Sequence, residues 1–230
     1  MEVDVIIVGS VAGGLATAVV AAQLGLSVVV CEKAPCFGGT TALSLGGPWI
    51  VANKHQSGLG IADTIEAGDT YLRAVLGNLY DSEKIATYLR AGREMIAFME
   101  ANSAVVWAGF TMPDYYPELP GASVGRTMLV DPYDGKKLGP YLKLLKLPLR
   151  GIAQFGTMQV DMREAGRFQS TFKNAASFTF TSKRFLRYGF DLLRFGRGSY
   201  LANGNALIGR LIRSPWISAS FSSHPPRLRN

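Results

Sequence analysis

The most constraining feature of the sequence is its uncharged beginning. Residues 5–31 contain no charged side chain, and 27 residues are enough to span a bilayer. Glycines divide the run, however. Residues 3–8 are typical of a buried strand, and 28–31 form a second β-branched run. Between them, Leu15, Val19 and Ala22 recur at helical spacing. The sequence therefore predicts a strand, glycine turn, helix and strand, and no transmembrane span.

This βαβ order places the turn at residues 9–14 at the N-terminus of a helix, where free N–H groups and the helix dipole favour a pyrophosphate. Glu32 follows the second strand, 18 residues after Gly14, and can accept a hydrogen bond from a ribose hydroxyl. Read as GxGxxG, the motif has Val11 at its middle position. FAD and NAD both fit Glu32, and a βα unit with glycines for packing alone remains an alternative.

The segment after Glu32 is rich in glycine and hydroxyl groups. The pairs at 38–39 and 46–47 bracket Thr40, Thr41 and Ser44. Such backbone offers free N–H and hydroxyl donors and permits close approach of a large polar ligand. This block favours FAD over NAD.

With these motifs the chain resembles the fumarate reductase/succinate dehydrogenase flavoprotein superfamily. FGGTTALS followed by GGPWI is most similar to its 3-oxosteroid 1-dehydrogenase branch. So is PDYYPELPGASVGRTM at 113–128, and weaker similarity continues to LANGNALIGRLIRS at 201–214.

The resemblance implies an α/β fold with a Rossmann-like FAD-binding domain over residues 1–214 and non-covalent FAD. Superfamily members are longer, so it also implies an N-terminal fragment with an incomplete FAD domain, no substrate domain, weak FAD binding and little turnover. Residues 215–230 are expected to be a disordered tail. The implied FAD contacts are Gly9, Ser10, Ala12, Gly13, Gly14, Glu32, Lys33, Gly39, Thr40, Thr41, Ser44, Gly46 and Gly47. Gly196, Gly198, Gly204 and Asn205 resemble a further loop near the flavin.

Two tyrosines are the catalytic candidates. Family dehydrogenation removes a proton with tyrosines and passes a hydride to FAD, and one active-site tyrosine lies in a segment similar to 113–120. Tyr115 or Tyr116 is therefore the implied proton-handling residue. A tyrosine that simply packs in a proline-rich loop is the alternative. The implied substrate is small and apolar, such as a steroid, and the electron acceptor is unknown.

Charge is divided unevenly along the chain. Residues 1–135 carry 7 Lys and Arg against 14 Asp and Glu, and residues 136–230 carry 17 against 3. We interpret the basic half as solvated helix faces over a core. A basic membrane- or nucleic-acid-binding protein with a vestigial nucleotide fold is the alternative. Two cysteines and two histidines give no metal motif, and a cytoplasmic location is expected.

Two acidic residues are predicted to begin packing helices. Asp63 is followed by Glu66 three residues later, and Asp81 precedes a run with Ile85, Leu89 and Ile96 on one face.

Overall fold

The computed structural model describes residues 2–151, 153 and 155–214. The tail predicted over 215–230 lies outside these residues. The chain divides into two compact units, one of residues 1–46 and 131–230 and the other of residues 47–130.

The first unit begins with the predicted βαβ element. Strand β1 spans Val5–Val8, helix α1 spans Ala12–Gln23 and strand β2 spans Val28–Cys31. The strands are parallel, with Val5 opposite Val28 and Val8 opposite Cys31. Leu15 and Val19 of α1 are buried against them. The glycine turn therefore lies at the carboxyl end of β1, as the α/β prediction requires.

The second unit combines three helices with a short antiparallel ladder. Its helices are α2 at Lys54–Gly58, α3 at Ile65–Leu76 and α4 at Ser82–Asn102. Its strands are β3 at Trp107–Gly109 and β4 at Met128–Val130. Buried side chains of α4 lie three to four residues apart, which is the amphipathic spacing.

One of the two predicted helix caps is wrong. Asp81 does cap α4, since its side chain accepts a hydrogen bond from the Lys84 N–H. Helix α3 is instead capped by Thr64, which accepts from the Ala67 N–H. The Asp63 carboxylate is engaged elsewhere, in an ion pair with Arg126.

The remainder of the first unit is mostly helical. An antiparallel pair joins β5, Tyr133–Asp134, to β6, Tyr200–Leu201. Short 3₁₀ turns follow β5 at Gly135–Leu144. The helices are α5 at Ala165–Gln169, α6 at Ala175–Phe195 and α7 at Asn203–Ile212. Nine of the ten α7 residues are buried, so this helix is a core element.

Helix α6 contradicts the interpretation of the basic half as solvated faces over a core. Its buried residues are Ser177, Thr181 and Asp191, all polar. Its large apolar side chains point outward, with Phe190 72% and Leu193 88% exposed. An amphipathic helix has one apolar and one polar face. In α6 the polar face packs against the protein and the apolar face is exposed. Within the described residues, no helix is both long and apolar enough to cross a membrane.

Candidate functional site

The glycine turn has the geometry of an anion-binding helix N-terminus. Gly9 has φ +96°, which favours glycine, and its N–H donates to the Cys31 carbonyl at 2.8 Å. A Cβ on Gly14 would lie 2.2 Å from the Gly9 carbonyl oxygen, so glycine is required for helix and strand to approach. A Cβ on Gly13 would meet nothing within 4 Å. There is open space above the first turn of α1.

The residues here fit a pyrophosphate. The first helical hydrogen bond of α1 runs from the Leu15 N–H to the Val11 carbonyl, and the apolar Val11 side chain caps no N–H group. The N–H groups of Gly13 and Gly14 therefore have no intrahelical acceptor at the positive end of the helix dipole. The open space at Gly13 can admit phosphate oxygens to both donors.

Glu32 holds the glycine turn by hydrogen bonds. Its Oε2 accepts from the Ser10 N–H at 3.0 Å and from the Ser10 hydroxyl at 2.5 Å, and its Oε1 accepts from the Ala34 N–H at 3.0 Å. Burial acts to raise the pKa of Glu32, but the bonds from Ser10 and Ala34 overcome it and hold the pKa below its ordinary value. The carboxylate is therefore ionised at neutral pH, and its remaining lone pairs can accept from a ribose hydroxyl.

The second glycine block packs on the first through polar contacts. Ser10 is fully buried, and its Oγ also accepts from the Gly38 N–H at 3.0 Å. The Ala12 N–H donates to Thr41 Oγ1 at 3.1 Å. The structure thus brings together the two segments that the sequence identified separately.

The same contact accommodates Val11. Its φ of −76° and ψ of 174° are ordinary extended values, so the backbone at this position does not require glycine. A Cβ on Gly39 would lie 2.4 Å from a Val11 methyl carbon. The branched side chain therefore occupies the space that Gly39 leaves empty.

Helix α7 supports the other side of the glycine block. A Cβ on Gly204 would lie 1.8 Å from the Thr41 carbonyl oxygen, and the Gly204 N–H donates to the Ser44 carbonyl at 2.9 Å. Asn205 Nδ2 donates to the Ala42 carbonyl at 2.7 Å. The resemblance predicts a loop at Gly204 and Asn205, but the structure has both residues in the first turn of α7.

Two buried polar residues fix the position of Asn205. The sequence did not assign either of them to this region. Gln159 Nε2 and Arg197 Nη2 both donate to its Oδ1, at 3.3 and 3.1 Å. Burial lowers the pKa of Arg197 to about 10, so the side chain remains cationic at neutral pH. Gln159 belongs to no motif, and Arg197 lies in the basic half, which we interpret from the sequence as solvated helix faces.

The other candidate FAD contacts differ in exposure. Lys33, Thr40 and Ser44 are exposed, and the Gly46 N–H donates to Ser44 Oγ at 3.0 Å. Gly47 is the first residue of the second unit, where a Cβ would lie 2.3 Å from the Met128 carbonyl oxygen. No cluster of potential metal ligands occurs in the part of the chain that the structure describes.

The candidate tyrosines lie in the second unit on a firmly held loop. Tyr115 is 83% exposed and Tyr116 is 51% exposed. The preceding Asp114 accepts from Trp49 Nε1 at 2.7 Å, from the Ser123 N–H at 3.0 Å and from Arg126 Nη1 at 2.8 Å.

Arg126 anchors this loop, a role that no motif in the sequence predicts. The side chain is fully buried and forms a bidentate pair with Asp63, with both N···O distances 2.8 Å. It also donates to the Gly121 carbonyl at 2.9 Å. Burial works against the charged form of Arg126, but the bonds to Asp63 and Asp114 raise its pKa. The loop that carries the two tyrosines is thereby tied to the core of its own unit.

Known proteins resemble this chain over nearly all of its described length. Residues 4–215 match the family model of the FAD binding domain. The 3-oxosteroid 1-dehydrogenase of Mycolicibacterium smegmatis is 46% identical over 151 residues, covering 64% of this chain and 26% of that protein. The 4-oxocyclohex-2-ene-1-carboxylate 5-dehydrogenase of Sinomonas cyclohexanicum is 35% identical over 215 residues, covering 93% of this chain and 36% of that protein.

A solved structure agrees. The 3-ketosteroid Δ1-dehydrogenase of Sterolibacterium denitrificans, in complex with 1,4-androstadiene-3,17-dione, superposes with a TM-score of 0.78 and 33% identity. The match covers 91% of this chain and 38% of that one. The chain thus spans between a quarter and two fifths of the length of these relatives.

These matches confirm FAD as the cofactor and give no support to the NAD alternative. By its family model and by its likeness to 3-oxosteroid dehydrogenases, the chain belongs to the FAD-binding domain family.

Proposed function

We propose that this chain supplies the FAD-binding part of an oxidoreductase that desaturates a cyclic ketone such as a 3-ketosteroid. The observation that carries the proposal is the open N-terminus of α1 at Gly13 and Gly14, whose N–H groups have no intrahelical acceptor, with the ionised Glu32 beside it. The relatives' names add the substrate class, since they include dehydrogenases of 3-oxosteroids and of 4-oxocyclohexene carboxylate.

In this proposal each segment has a separate task. The N–H groups of Gly13 and Gly14 bind the pyrophosphate, and Glu32 accepts from the adenosine ribose. Lys33 lies next to this carboxylate. Ser10 and Ala12 contribute to the cofactor site by fixing the turn against Gly38 and Thr41.

The flavin end is assigned to the second glycine block. Its residues have small side chains or hydroxyl groups. Those that would border the flavin are Gly39, Thr40, Thr41, Ser44, Gly46 and Gly47. When bound, FAD supplies a hydride acceptor at its N5 atom. The chain's own task is to orient that acceptor and keep it in place.

We assign the proton step to Tyr115 or Tyr116. Desaturation removes a hydride from one carbon and a proton from the adjacent carbon, and the tyrosine would take up that proton as the general base. The bonds of Arg126 to Asp63 and Asp114 support this assignment, because a loop with fixed backbone positions its side chains reproducibly. We place the protein in the cytoplasm, in agreement with its two free cysteines.

The test separates cofactor binding from turnover. The purified chain is loaded with FAD, desalted and mixed under anaerobic conditions with a 3-ketosteroid or with 4-oxocyclohexanecarboxylate. Bleaching of the flavin band by either ketone supports the proposal, and Tyr115→Phe or Tyr116→Phe should slow it without loss of bound flavin. Because the resemblance implies little turnover, slow bleaching is measured against a sample without ketone, and retained flavin that bleaches no faster with either ketone contradicts the substrate class for this chain.

One variant tests the binding geometry separately. Gly13→Ala places a methyl group in open space, so it should weaken FAD binding and leave the fold intact. A Gly13→Ala protein that binds FAD as tightly as the wild type would contradict the pyrophosphate position.

A further inference from the structure

Helix α6 exposes the face that an amphipathic helix normally buries. Its inward side is fixed by polar contacts. Asp191 accepts from the Ser199 N–H at 2.8 Å and from its hydroxyl at 2.6 Å, and Arg184 donates to the Gln159 carbonyl at 3.0 Å. The Arg184 guanidinium also lies 3.3 Å from the centre of the Tyr200 ring. These bonds would have to break for the helix to turn its apolar side inward.

The outward side carries a continuous apolar row. Gly189 lies within it, and the spacing of three, four and seven residues places its members on one face. The Phe155 ring packs edge-on against Phe185, with the ring centres 5.0 Å apart, and extends the row beyond the helix. We call this set the outer row: Phe155, Phe178, Phe185, Leu186, Phe190 and Leu193.

Cations border the outer row. Lys183 precedes Leu186 by three residues and Arg194 follows Phe190 by four, so both lie beside the row on the helix surface, and both are exposed. Residues 165–195 contain six Lys and Arg and one acid, Asp191, which is buried. The exposed charge around the row is therefore positive.

This charge selects among partners for the apolar face. A second copy of the chain would bring two positive borders together, which is unfavourable. A nucleic acid would satisfy the cations but leave the phenyl and leucyl side chains in water. An anionic lipid surface satisfies both, because acyl chains cover the row and lipid phosphates meet the long basic side chains at its edge.

We propose that α6 is an interfacial helix that docks this domain on an anionic phospholipid bilayer. The helix lies in the plane of the interface with the outer row directed into the acyl boundary, and Lys183 and Arg194 reach lipid phosphates. It does not cross the bilayer, since its opposite side is occupied by the contacts of Asp191 and Arg184. The proposal is independent of the reaction assigned to the flavin.

The test is flotation of the purified 230-residue chain with phosphatidylcholine vesicles that either contain or lack phosphatidylglycerol. We expect binding to the anionic vesicles only, and weaker binding at high salt. The double variant Leu186→Ser/Phe190→Ser should bind about tenfold or more weakly, because it removes two apolar side chains from the lipid. Lys183→Ala/Arg194→Ala should lose a similar factor.

Two controls keep the test decisive. Leu79→Ser changes an equally exposed leucine in the other unit and should leave vesicle binding unchanged. Circular dichroism checks that each variant keeps the wild-type fold, which is expected because the changed side chains face outward.

Three results would overturn the proposal. The first is absence of binding to either vesicle type by a folded chain. The second is equal binding to neutral and anionic vesicles, which would show that the outer row binds lipid by nonspecific apolar contact without the cations. The third is a dimer, without vesicle binding, that the Leu186→Ser/Phe190→Ser variant converts to monomer, which would assign the face to a second copy.

Discussion

Replacing Arg126 by methionine should destabilise the second unit strongly. The guanidinium forms three charged hydrogen bonds of 2.8 Å, two to Asp63 and one to Asp114, and a fourth bond to the Gly121 carbonyl. Both carboxylates are 1% exposed, so Arg126→Met leaves two buried charges without their cation. Removing one partner from a buried ion pair costs about 3–5 kcal/mol. The expected loss lies in that range.

The assay is urea unfolding followed by tryptophan fluorescence, since Trp49 and Trp107 lie in this unit. Lys84→Met is the matched control, because the Lys84–Asp81 pair is solvent-exposed and should contribute little. The triple variant with Asp63→Asn and Asp114→Asn should recover part of the loss. A change below about 1 kcal/mol in Arg126→Met would refute the reasoning.

Three further predictions concern the glycine turn. Gly14→Ala should destabilise the first unit by about 1–3 kcal/mol, since its Cβ would lie 2.2 Å from the Gly9 carbonyl oxygen; a thermal melt unchanged from wild type would contradict this. Glu32 has a lowered pKa in the folded state, so its stabilisation is present above its unfolded-state value of about 4.3 and is lost as pH falls below it. Glu32→Gln should therefore flatten stability against pH in acid, measured by urea unfolding from pH 3 to 7, and an unaltered profile would exclude this role. Val11→Gly should leave FAD affinity little changed, because the Val11 side chain packs into the space at Gly39 and its backbone does not require glycine, and a clear gain in affinity in flavin fluorescence titration would show that the side chain crowds the cofactor.

The sequence predicted the βα turn better than the contacts that support it. Glycine spacing and the acid after β2 were sufficient to place Gly9, Gly14 and Glu32, because a βα turn is local along the chain. The bonds of Ser10 to Glu32 and Gly38 join residues 22 and 28 positions apart. Nothing in the local pattern specifies which donors such a carboxylate will meet.

Errors arose where tertiary packing decides between similar options. Asp63 and Thr64 are adjacent, and both residue types suit a helix cap. Because Asp63 forms an ion pair with the buried Arg126, Thr64 caps the helix. An amphipathic pattern in α6 is compatible with either face inward. The contacts of Arg184 and Asp191 hold the polar side of α6 against the protein. Composition alone does not predict these contacts.

The most direct test of the central claim is a calorimetric titration of the purified chain with FAD, repeated with NAD. We predict one saturable FAD site per chain, weakened in Gly13→Ala, and no competition by NAD. Absence of saturable FAD binding by a chain that circular dichroism shows to be folded would contradict the assignment of the turn at residues 9–14 to the cofactor.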